Sequence, residues 1–360
     1  MARTTRLEGV IERYGALLLL LALLLIVAGV ADLLATTIIE RMAIQLFINL
    51  TLVLGLQTFM GNSGILSFAS IGFMGIGAYG SSILSMPAQA KGFALPDLYP
   101  FLVPIELPFP AAIVLAGLFA ALVAALVSLP LMRLSDAAAV ITSFALLVVI
   151  HNVLVHWNAV TNGPQTFFGV TRHTYLWTAA AWACAFTALA YWFKESSVGL
   201  RLRASRDDAT AAATIGINIV VVRWIAFTLN AFVAAIGGGL FAHYITSFAP
   251  GAFYLKETFV ILAMLIVGGP RTVSGAVIGT LVVSAVFEGM RNLENALNIA
   301  KVSKEPIVGL TEVVLALVLV AILIWRPDGL VPVRELRAPH RLLRLRGAGP
   351  RTTAPRAQSD

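Results

Sequence analysis

Long stretches of apolar residues dominate the chain, and polar positions gather between them. An α-helix needs about 20 mostly apolar residues to cross the hydrocarbon core of a bilayer. The pattern predicts ten membrane-spanning helices, at about 14–34, 38–60, 67–86, 109–131, 137–157, 175–193, 223–246, 256–269, 275–290 and 307–325. The eighth and ninth are short and interrupted by glycines, which leaves open whether they cross fully or re-enter on one side. The predicted fold is therefore an all-α, polytopic integral membrane bundle of about ten spans, some of them short or broken.

Composition agrees with a lipid environment. Apolar residues make up 59% of the chain and charged residues 12%, about half the charged share of a soluble domain. The single cysteine, Cys184, excludes an internal disulfide and any metal site built from cysteine pairs. His151 and His156 are five residues apart and do not share a helix face, so no metal site is predicted.

The positive charges predict the orientation of the bundle, because lysine and arginine are enriched in cytoplasmic loops. They gather before the first span, between the sixth and seventh spans, and after the last one. Both termini and the loop at about 194–222 are therefore expected on the cytoplasmic side. The stretch after Met290 opposes this assignment, since it carries Arg291, Lys301 and Lys304 yet would lie outside.

The same pattern divides the chain into three parts. A cytoplasmic N-terminus at 1–13 precedes a transmembrane domain at 14–331, and a basic, mobile tail follows at 332–360. The first apolar stretch is longer than the core of a cleaved signal peptide, so it is expected to be retained as a span. The basic tail is expected to attract anionic lipid headgroups, and no nucleic-acid partner is predicted.

A glycine- and serine-rich segment, Gly61 to Tyr79, interrupts the second and third spans. Glycine lets the backbone leave the helix, and irregular backbone inside a membrane is tolerated only against protein or a water-filled cavity. We assign a substrate path to the six polar, small or aromatic residues at its start: Asn62, Ser63, Gly64, Ser67, Phe68 and Ser70. Close helix packing without any ligand contact is the alternative.

Two further segments lie between spans. The run from Asp207 to Thr214 favours a short helix, which Ser205 or Asp207 would cap and Gly216 would end. Its small alanine face suits docking onto a partner, although a plain connecting loop has the same composition. Around 268–275 two glycines and a proline predict either a tight turn or the meeting of two half-helices. The phosphate-binding sequence G-x-x-x-x-G-K-[ST] is absent, so any ATP would bind another chain.

Taken in order, these segments resemble the permease subunits of bacterial ABC importers for branched-chain amino acids. The LivM-type subunit is the closer match, over about residues 40–331. The resemblance rests on six stretches: SGILSFASIGFMGIGAY, VTNGPQTFFGV, GLRLRASRDDATAAATIGINIVVVRWIAF, GGLFAHYITSFAPGAF, VGGPRTVSGAVIGT and WRPDGLV. It departs from the common pattern at Ala69-Ser70, Arg271 and Ala276, which leaves the exact solute open.

The resemblance implies a multi-pass protein of the bacterial inner membrane that acts as a subunit and is not itself an enzyme. Its partners would be a LivH-type permease, two cytoplasmic ATPase subunits that carry ATP and Mg, and a periplasmic binding protein. The chain itself would hold no cofactor. Coupling to the ATPases is assigned to six residues of the cytoplasmic loop: Arg203, Asp207, Asp208, Ala211, Ala212 and Gly216.

The expected function is import of branched-chain or other hydrophobic amino acids into the cytoplasm. Related permeases carry urea, short amides or aromatic acids, and these stay as alternatives. A stand-alone secondary carrier would need paired intramembrane carboxylates, and only Glu288 and Glu312, in different spans, are well placed. A membrane enzyme would need a catalytic constellation, which the sequence lacks.

Overall fold

The computed structural model describes residues 2–34, 36–134, 136–299, 309–326 and 329–331. Within these ranges the chain is helical and has no named strand. The helices are α1 (Ala2–Leu33), α2 (Thr37–Leu56), α3 (Ser70–Ser85), α4 (Ala88–Ala94), α5 (Phe109–Leu131), α6 (Asp136–His156), α7 (Asn158–Thr161), α8 (Leu176–Glu195), α9 (Ser197–Asp207), α10 (Ala209–Thr214), α11 (Ile219–Ile245), α12 (Leu255–Gly268), α13 (Val273–Ile299) and α14 (Leu310–Trp325). A π-helical turn at Gln57–Gly61 extends α2, and a 3₁₀ turn at Pro250–Phe253 precedes α12.

Eight helices in the described part of the chain are long and apolar enough to cross a membrane, which confirms the all-α polytopic class. They are Gly15–Leu33, Thr37–Gly61, Phe109–Leu131, Ala137–His156, Leu176–Glu195, Ile219–Ile245, Pro250–Gly268 and Val273–Asn298. The other two predicted spans correspond to α3 and α14, which have 16 residues each. The boundary predicted at residue 13 is not marked by a break, since α1 begins at Ala2. The predicted tail at 332–360 lies outside the described residues.

The prediction of a short ninth span is wrong, because α13 continues for 27 residues. Arg291, expected in an outside loop, lies within this helix. The extension has a structural role: Glu294 accepts hydrogen bonds from the backbone N–H of Thr311 at 3.1 Å and from its hydroxyl at 2.6 Å. The carboxylate thereby satisfies donors that the N-terminus of α14 would otherwise leave free.

Helices α3, α5 and α11 pack against one another at the centre of the bundle. The closest approach is between α3 and α11, where a Cβ on Gly77 would collide with the carbonyl of Ala235 and one on Gly238 with that of Met74. Such backbone contact requires glycine on both helices, as at other helix crossings in membranes. The core of the protein therefore lies along the α3–α11 contact.

At one end of the bundle, the segment between α3 and α5 forms a proline-rich connection, with α4 as its only helix among residues 86–108. Lys91 is fully buried there, and its ammonium group donates to the carbonyls of Leu102 at 3.1 Å, Val103 at 3.5 Å and Ile105. Burial lowers the pKa of Lys91, while the nearby Glu106 carboxylate acts to raise it. Lysine is buried only when paired, and here the loop backbone is its partner.

The end opposite α9 and α10 is also closed by contacts between loops and helix ends. Ser85 hydrogen-bonds His243 at 2.7 Å, which joins the last turns of α3 and α11. Phe167 and Phe248 form an isolated antiparallel bridge between two connecting loops. The last turns of α3 and α11 therefore lie at the end of the bundle opposite α9 and α10.

Candidate functional site

The predicted interruption of the second and third spans is present in the structure. Helix α2 ends in the π-helical turn, and residues 64–69 are not helical before α3 begins at Ser70. The third span therefore starts three residues later than predicted. Gly64 has φ +77°, a conformation that favours glycine, and a Cβ there would lie 2.7 Å from Cγ of Arg206. We refer to residues 61–70 as the break.

Four of the predicted path residues are buried polar side chains in the break. Two of them are engaged locally: Asn62 Nδ2 donates to the Thr58 carbonyl at 3.0 Å, and Ser63 Oγ accepts from the N–H of Ile65 at 3.2 Å. The other amide atom of Asn62, Oδ1, has no hydrogen-bond partner among the described residues. Ser70 Oγ accepts from Asn230 Nδ2 of α11 at 2.8 Å.

The fourth buried side chain, Ser67, differs from its neighbours. Its hydroxyl makes no hydrogen bond to any residue that the structure describes. A buried hydroxyl without a protein partner is costly, and it is free to bond a ligand or water. Ser67 is therefore the predicted path residue best placed to bind a solute.

The predicted substrate path did not include Gln57. It is fully buried in the π-helical turn, and neither atom of its carboxamide has a hydrogen-bond partner among the described residues. Single π-turns occur often at functional sites. The signal in the sequence was a glutamine four residues before Gly61, directly after the apolar stretch 52–56, which places a polar side chain just before the break.

Phe68 lies on the more open side of the break. Its ring packs edge-to-face against Phe144 of α6, at 5.7 Å between centroids, and Phe259 of α12, at 6.2 Å. Phe144 and Phe259 are 38% and 57% exposed. The backbone N–H of Phe68 donates to Ser143 Oγ at 3.3 Å. An apolar aromatic cluster thus adjoins the buried hydroxyls.

The three segments singled out in the sequence meet at Gly61. The carbonyl of Gly61 accepts a hydrogen bond from Nη1 of Arg206, in α9, at 2.8 Å. The carbonyl of Pro270, in the turn between α12 and α13, leaves no room for a Cβ on Gly61. That turn is a simple tight one, with φ +111° at Gly269. It joins two segments, Pro250–Gly268 and Val273–Asn298, that are each long and apolar enough to cross a membrane.

Leu330 and Val331 contact the end of α12, next to the turn that packs on Gly61. The N–H of Leu330 donates to the Val267 carbonyl at 2.9 Å, and that of Val331 donates to the Gly268 carbonyl at 3.1 Å. All the contacts at Gly61 and Gly268 lie at the end of the bundle that carries α9 and α10.

The predicted short helix is present as α10, but its start was assigned to the wrong residues. Asp208 is the cap: its Oδ1 accepts from the N–H of Ala211 and from the Thr210 hydroxyl, both at 2.9 Å. These bonds lower the pKa of Asp208, the backbone N–H of Ala211 having the largest effect. Asp207 instead ends α9, because the chain turns between the two helices. Ser205 lies within α9 and is buried there.

The predicted stop at Gly216 is confirmed. Its φ is +83°, and its N–H donates to the Ala213 carbonyl at 3.0 Å. The N–H of Ile217 donates to the Ala212 carbonyl at 3.1 Å, which closes the end of α10. This left-handed residue after the last turn is a common helix ending.

The remaining residues assigned to coupling occupy different positions on α9 and α10. Arg203 donates to the carbonyl of Lys194, at the end of α8, at 2.9 Å. Asp207 is exposed and pairs with Arg206 at 3.2 Å. Ala212 is buried against the protein, whereas Ala211 is on the exposed face of α10.

A bundle of membrane-crossing helices, with a polar break in its core and a capped helix exposed at one end, defines a multi-pass membrane transport protein. The sequence profile of the family described as "Branched-chain amino acid transport system / permease component" matches residues 38–323. The chain belongs to this family, and it is a transporter subunit rather than an enzyme.

Two curated relatives support the assignment. One is the high-affinity branched-chain amino acid transport system permease protein LivM of Salmonella typhimurium, 24% identical over 325 residues, which cover 81% of this chain and 69% of the relative. The other is the LivM protein of Escherichia coli, 23% identical over 320 residues, which cover 79% and 68%.

Proposed function

We propose that this chain is the membrane permease subunit of an ATP-driven importer for branched-chain or other hydrophobic amino acids in the bacterial inner membrane. It would work beside a second permease subunit and two ATPase subunits that carry ATP and Mg, with a periplasmic binding protein delivering the solute. The observation that carries the proposal is the arrangement at Gly61, where the break inside the bundle meets the exposed α9–α10 segment. Family membership supports the same conclusion.

The chemistry of the break suits an amino acid with an apolar side chain. Ser67 and Gln57 offer hydrogen-bonding atoms that have no partner among the described residues. Next to Ser67, the cluster of Phe68, Phe144 and Phe259 offers apolar surface. Solute sites of this kind combine a mostly apolar lining with a few placed polar groups.

The exposed surface of α10 suits a docking role. Its outward positions are small or apolar, and Ile215 at its end is 76% exposed. The cap at Asp208 and the left-handed Gly216 fix both ends of the helix, so that it presents one defined shape. Rigid elements hold a contact surface more accurately than loops do.

Transport by the assembled importer in proteoliposomes tests the proposal. Labelled leucine is expected to accumulate only when ATP, the ATPase subunits and the loaded binding protein are all present. Competition by isoleucine and valine, but not by urea, short amides or aromatic acids, would separate the proposed solutes from the alternatives. Uptake by the permeases alone, driven by an ion gradient, would contradict an ATP-driven importer.

Two substitutions at Gly216 test the docking helix. Gly216→Pro removes the N–H that closes α10 and cannot adopt φ +83°, because proline is restricted to about −65°. Gly216→Asn keeps the N–H and tolerates the left-handed conformation. We expect the proline variant to hydrolyse ATP without uptake and the asparagine variant to transport nearly normally. Equal uptake by both variants would argue against docking through α10.

A further inference from the structure

Arg206 connects the exposed segment to the break through a single side chain. It lies in the last turn of α9, two residues before the cap of α10. Its Nη1 donates to the carbonyl of Gly61 at 2.8 Å, although the two residues are 145 positions apart in sequence. Its aliphatic part packs on Gly64, where a Cβ would lie 2.7 Å from Cγ. The side chain thus touches the break at two points.

The guanidinium group of Arg206 also bonds the carboxylate of Asp207. Nε and Nη2 donate to Oδ1 of Asp207 at 3.3 and 3.2 Å, and the side chain is only 20% exposed. Arginine presents its donors in a rigid planar fork, so one group bonds Asp207 and Gly61 at the same time. A lysine ammonium is a compact point charge on a flexible stem and does not reproduce this geometry.

The carbonyl that accepts this hydrogen bond, that of Gly61, lies at the end of a helix. Gly61 is the last residue of the π-helical turn, and carbonyls at a helix C-terminus have no partner within the helix. A cation there is also favoured by the helix dipole. Among the hydrogen bonds described for the break, this is the one that comes from the α9–α10 segment.

We infer that Arg206 is a positioning residue that transmits displacement of the α9–α10 segment to the break. The inference rests on the proposed function, in which partner ATPases move α10. Because Asp207 and the capping residue Asp208 follow Arg206 directly, a shift of α10 moves the guanidinium, and the guanidinium moves the Gly61 carbonyl. The solute-binding hydroxyl of Ser67 lies six residues further along the same backbone.

A purely structural role makes a different prediction. If Arg206 only satisfies the end of α2, its loss lowers stability and uptake together but leaves the break responding to ATP. If Arg206 transmits movement, its loss separates ATP hydrolysis from the response of the break. The ATPases still hydrolyse ATP, but the break no longer changes. The decisive measurement therefore concerns the break itself.

The experiment uses the assembled transporter in a Cys184→Ser background, with Leu66→Cys as a reporter in the break. Leu66 is partly exposed and carries none of the assigned roles. Its labelling by a maleimide is measured before and after trapping with ATP and vanadate. We compare Arg206, Arg206→Lys and Arg206→Ala, with Arg201→Ala as the control because Arg201 is an exposed arginine of the same helix.

With Arg206 or in the Arg201→Ala control, trapping is expected to change the labelling rate. In Arg206→Ala the change should disappear and uptake should fall about tenfold, the factor expected for losing a hydrogen bond to a charged group. ATP hydrolysis should persist in this variant, and Arg206→Lys should be intermediate.

An unchanged response in Arg206→Ala, with uptake reduced only in proportion to stability, would overturn the link and leave the importer intact. Absence of ATP-dependent uptake even with Arg206 present would overturn the proposed function and the link with it.

Discussion

Ser67 and Ser70 are three residues apart in the break, yet their hydroxyls serve different purposes. Ser70 accepts from Asn230 and so joins α3 to α11. Ser67 is equally buried, but its hydroxyl has no partner among the described residues. One serine therefore belongs to the packing of the bundle, whereas the other is available to a solute.

The two alanine variants should separate these roles. Ser67→Ala is expected to raise the KM for uptake about fivefold, the effect of losing one hydrogen bond, and to hold or raise thermal stability, because it removes a buried hydroxyl without a protein partner. Ser70→Ala leaves the Asn230 amide buried without its acceptor and should cost about 1–3 kcal/mol of stability. Uptake kinetics and thermal unfolding in detergent measure both. Similar losses of stability in the two variants would contradict the assignment.

The connection between α3 and α5 shows how an element without regular structure is held in place. Its backbone cannot form a continuous helix because of its prolines, so its carbonyls need other donors. Lys91 supplies three donors from one buried side chain. The order of this loop therefore depends on one ammonium group as well as on buried apolar side chains such as Leu95 and Leu98.

Lys91→Met tests this dependence. The variant keeps the length and apolar character of the side chain but leaves the carbonyls of Leu102, Val103 and Ile105 without their donor. We expect a cost of about 3 kcal/mol, since unsatisfied buried acceptors are expensive, and faster proteolysis within 95–108. Gln89→Met, at an exposed position of the same helix, is the control and should be cleaved like the unmodified protein. Equal cleavage of both variants would show that other contacts order the loop.

At the scale of the whole molecule, the bundle is organised around the backbone contact between α3 and α11. Gly77 and Gly238 allow this contact, and the Ser70–Asn230 and Ser85–His243 hydrogen bonds lie toward either end of it. In a membrane, helix association depends on such close packing and hydrogen bonding, because lipid offers the same apolar surroundings as a neighbouring side chain. The α3–α11 pair is therefore expected to dominate stability.

Gly238→Ala should be strongly destabilising, because the new methyl group collides with the Met74 carbonyl and the backbones must separate. The cost of such overpacking is at least about 1–3 kcal/mol. Gly29→Ala is the matched control: Gly29 is also within a helix, and no atom lies within 4 Å of its would-be Cβ. The midpoint of thermal unfolding in detergent should fall for Gly238→Ala and hold or rise for Gly29→Ala. A fall of equal size in both would contradict the proposed importance of the contact.

The sequence predicted the fold class and most spans, because the length of an apolar stretch depends only on bilayer thickness. It did not predict where α13 ends. Hydropathy marks the exit from the hydrocarbon, but the helix continues to Ile299, and its Glu294 binds the N-terminus of α14. The break at 61–70 was predictable because glycine lets the backbone leave the helix, and irregular backbone inside a membrane needs a protein or water-filled environment.

The contacts at the site were less predictable. Asp207, Asp208 and Ser205 are all suitable caps, and only the position of the turn after α9 selects Asp208. The role of Arg206 depends on a contact between residues far apart in sequence, and a single sequence carries no signal for such a pair. The partners, the solute and the cytoplasmic orientation of the termini stay predictions.

The tight seam between α3 and α11 also has a mechanical consequence. Two helices in backbone contact, with hydrogen bonds between them near both ends, do not bend independently, so they tilt as one rigid body. Helix α3 has 16 residues, which gives this rigid helix pair a length of about 24 Å. A small rotation about the middle of the helix pair would move Ser70 and Ser85 in opposite directions. The opening at one end of the bundle would then narrow as the opening at the other end widens.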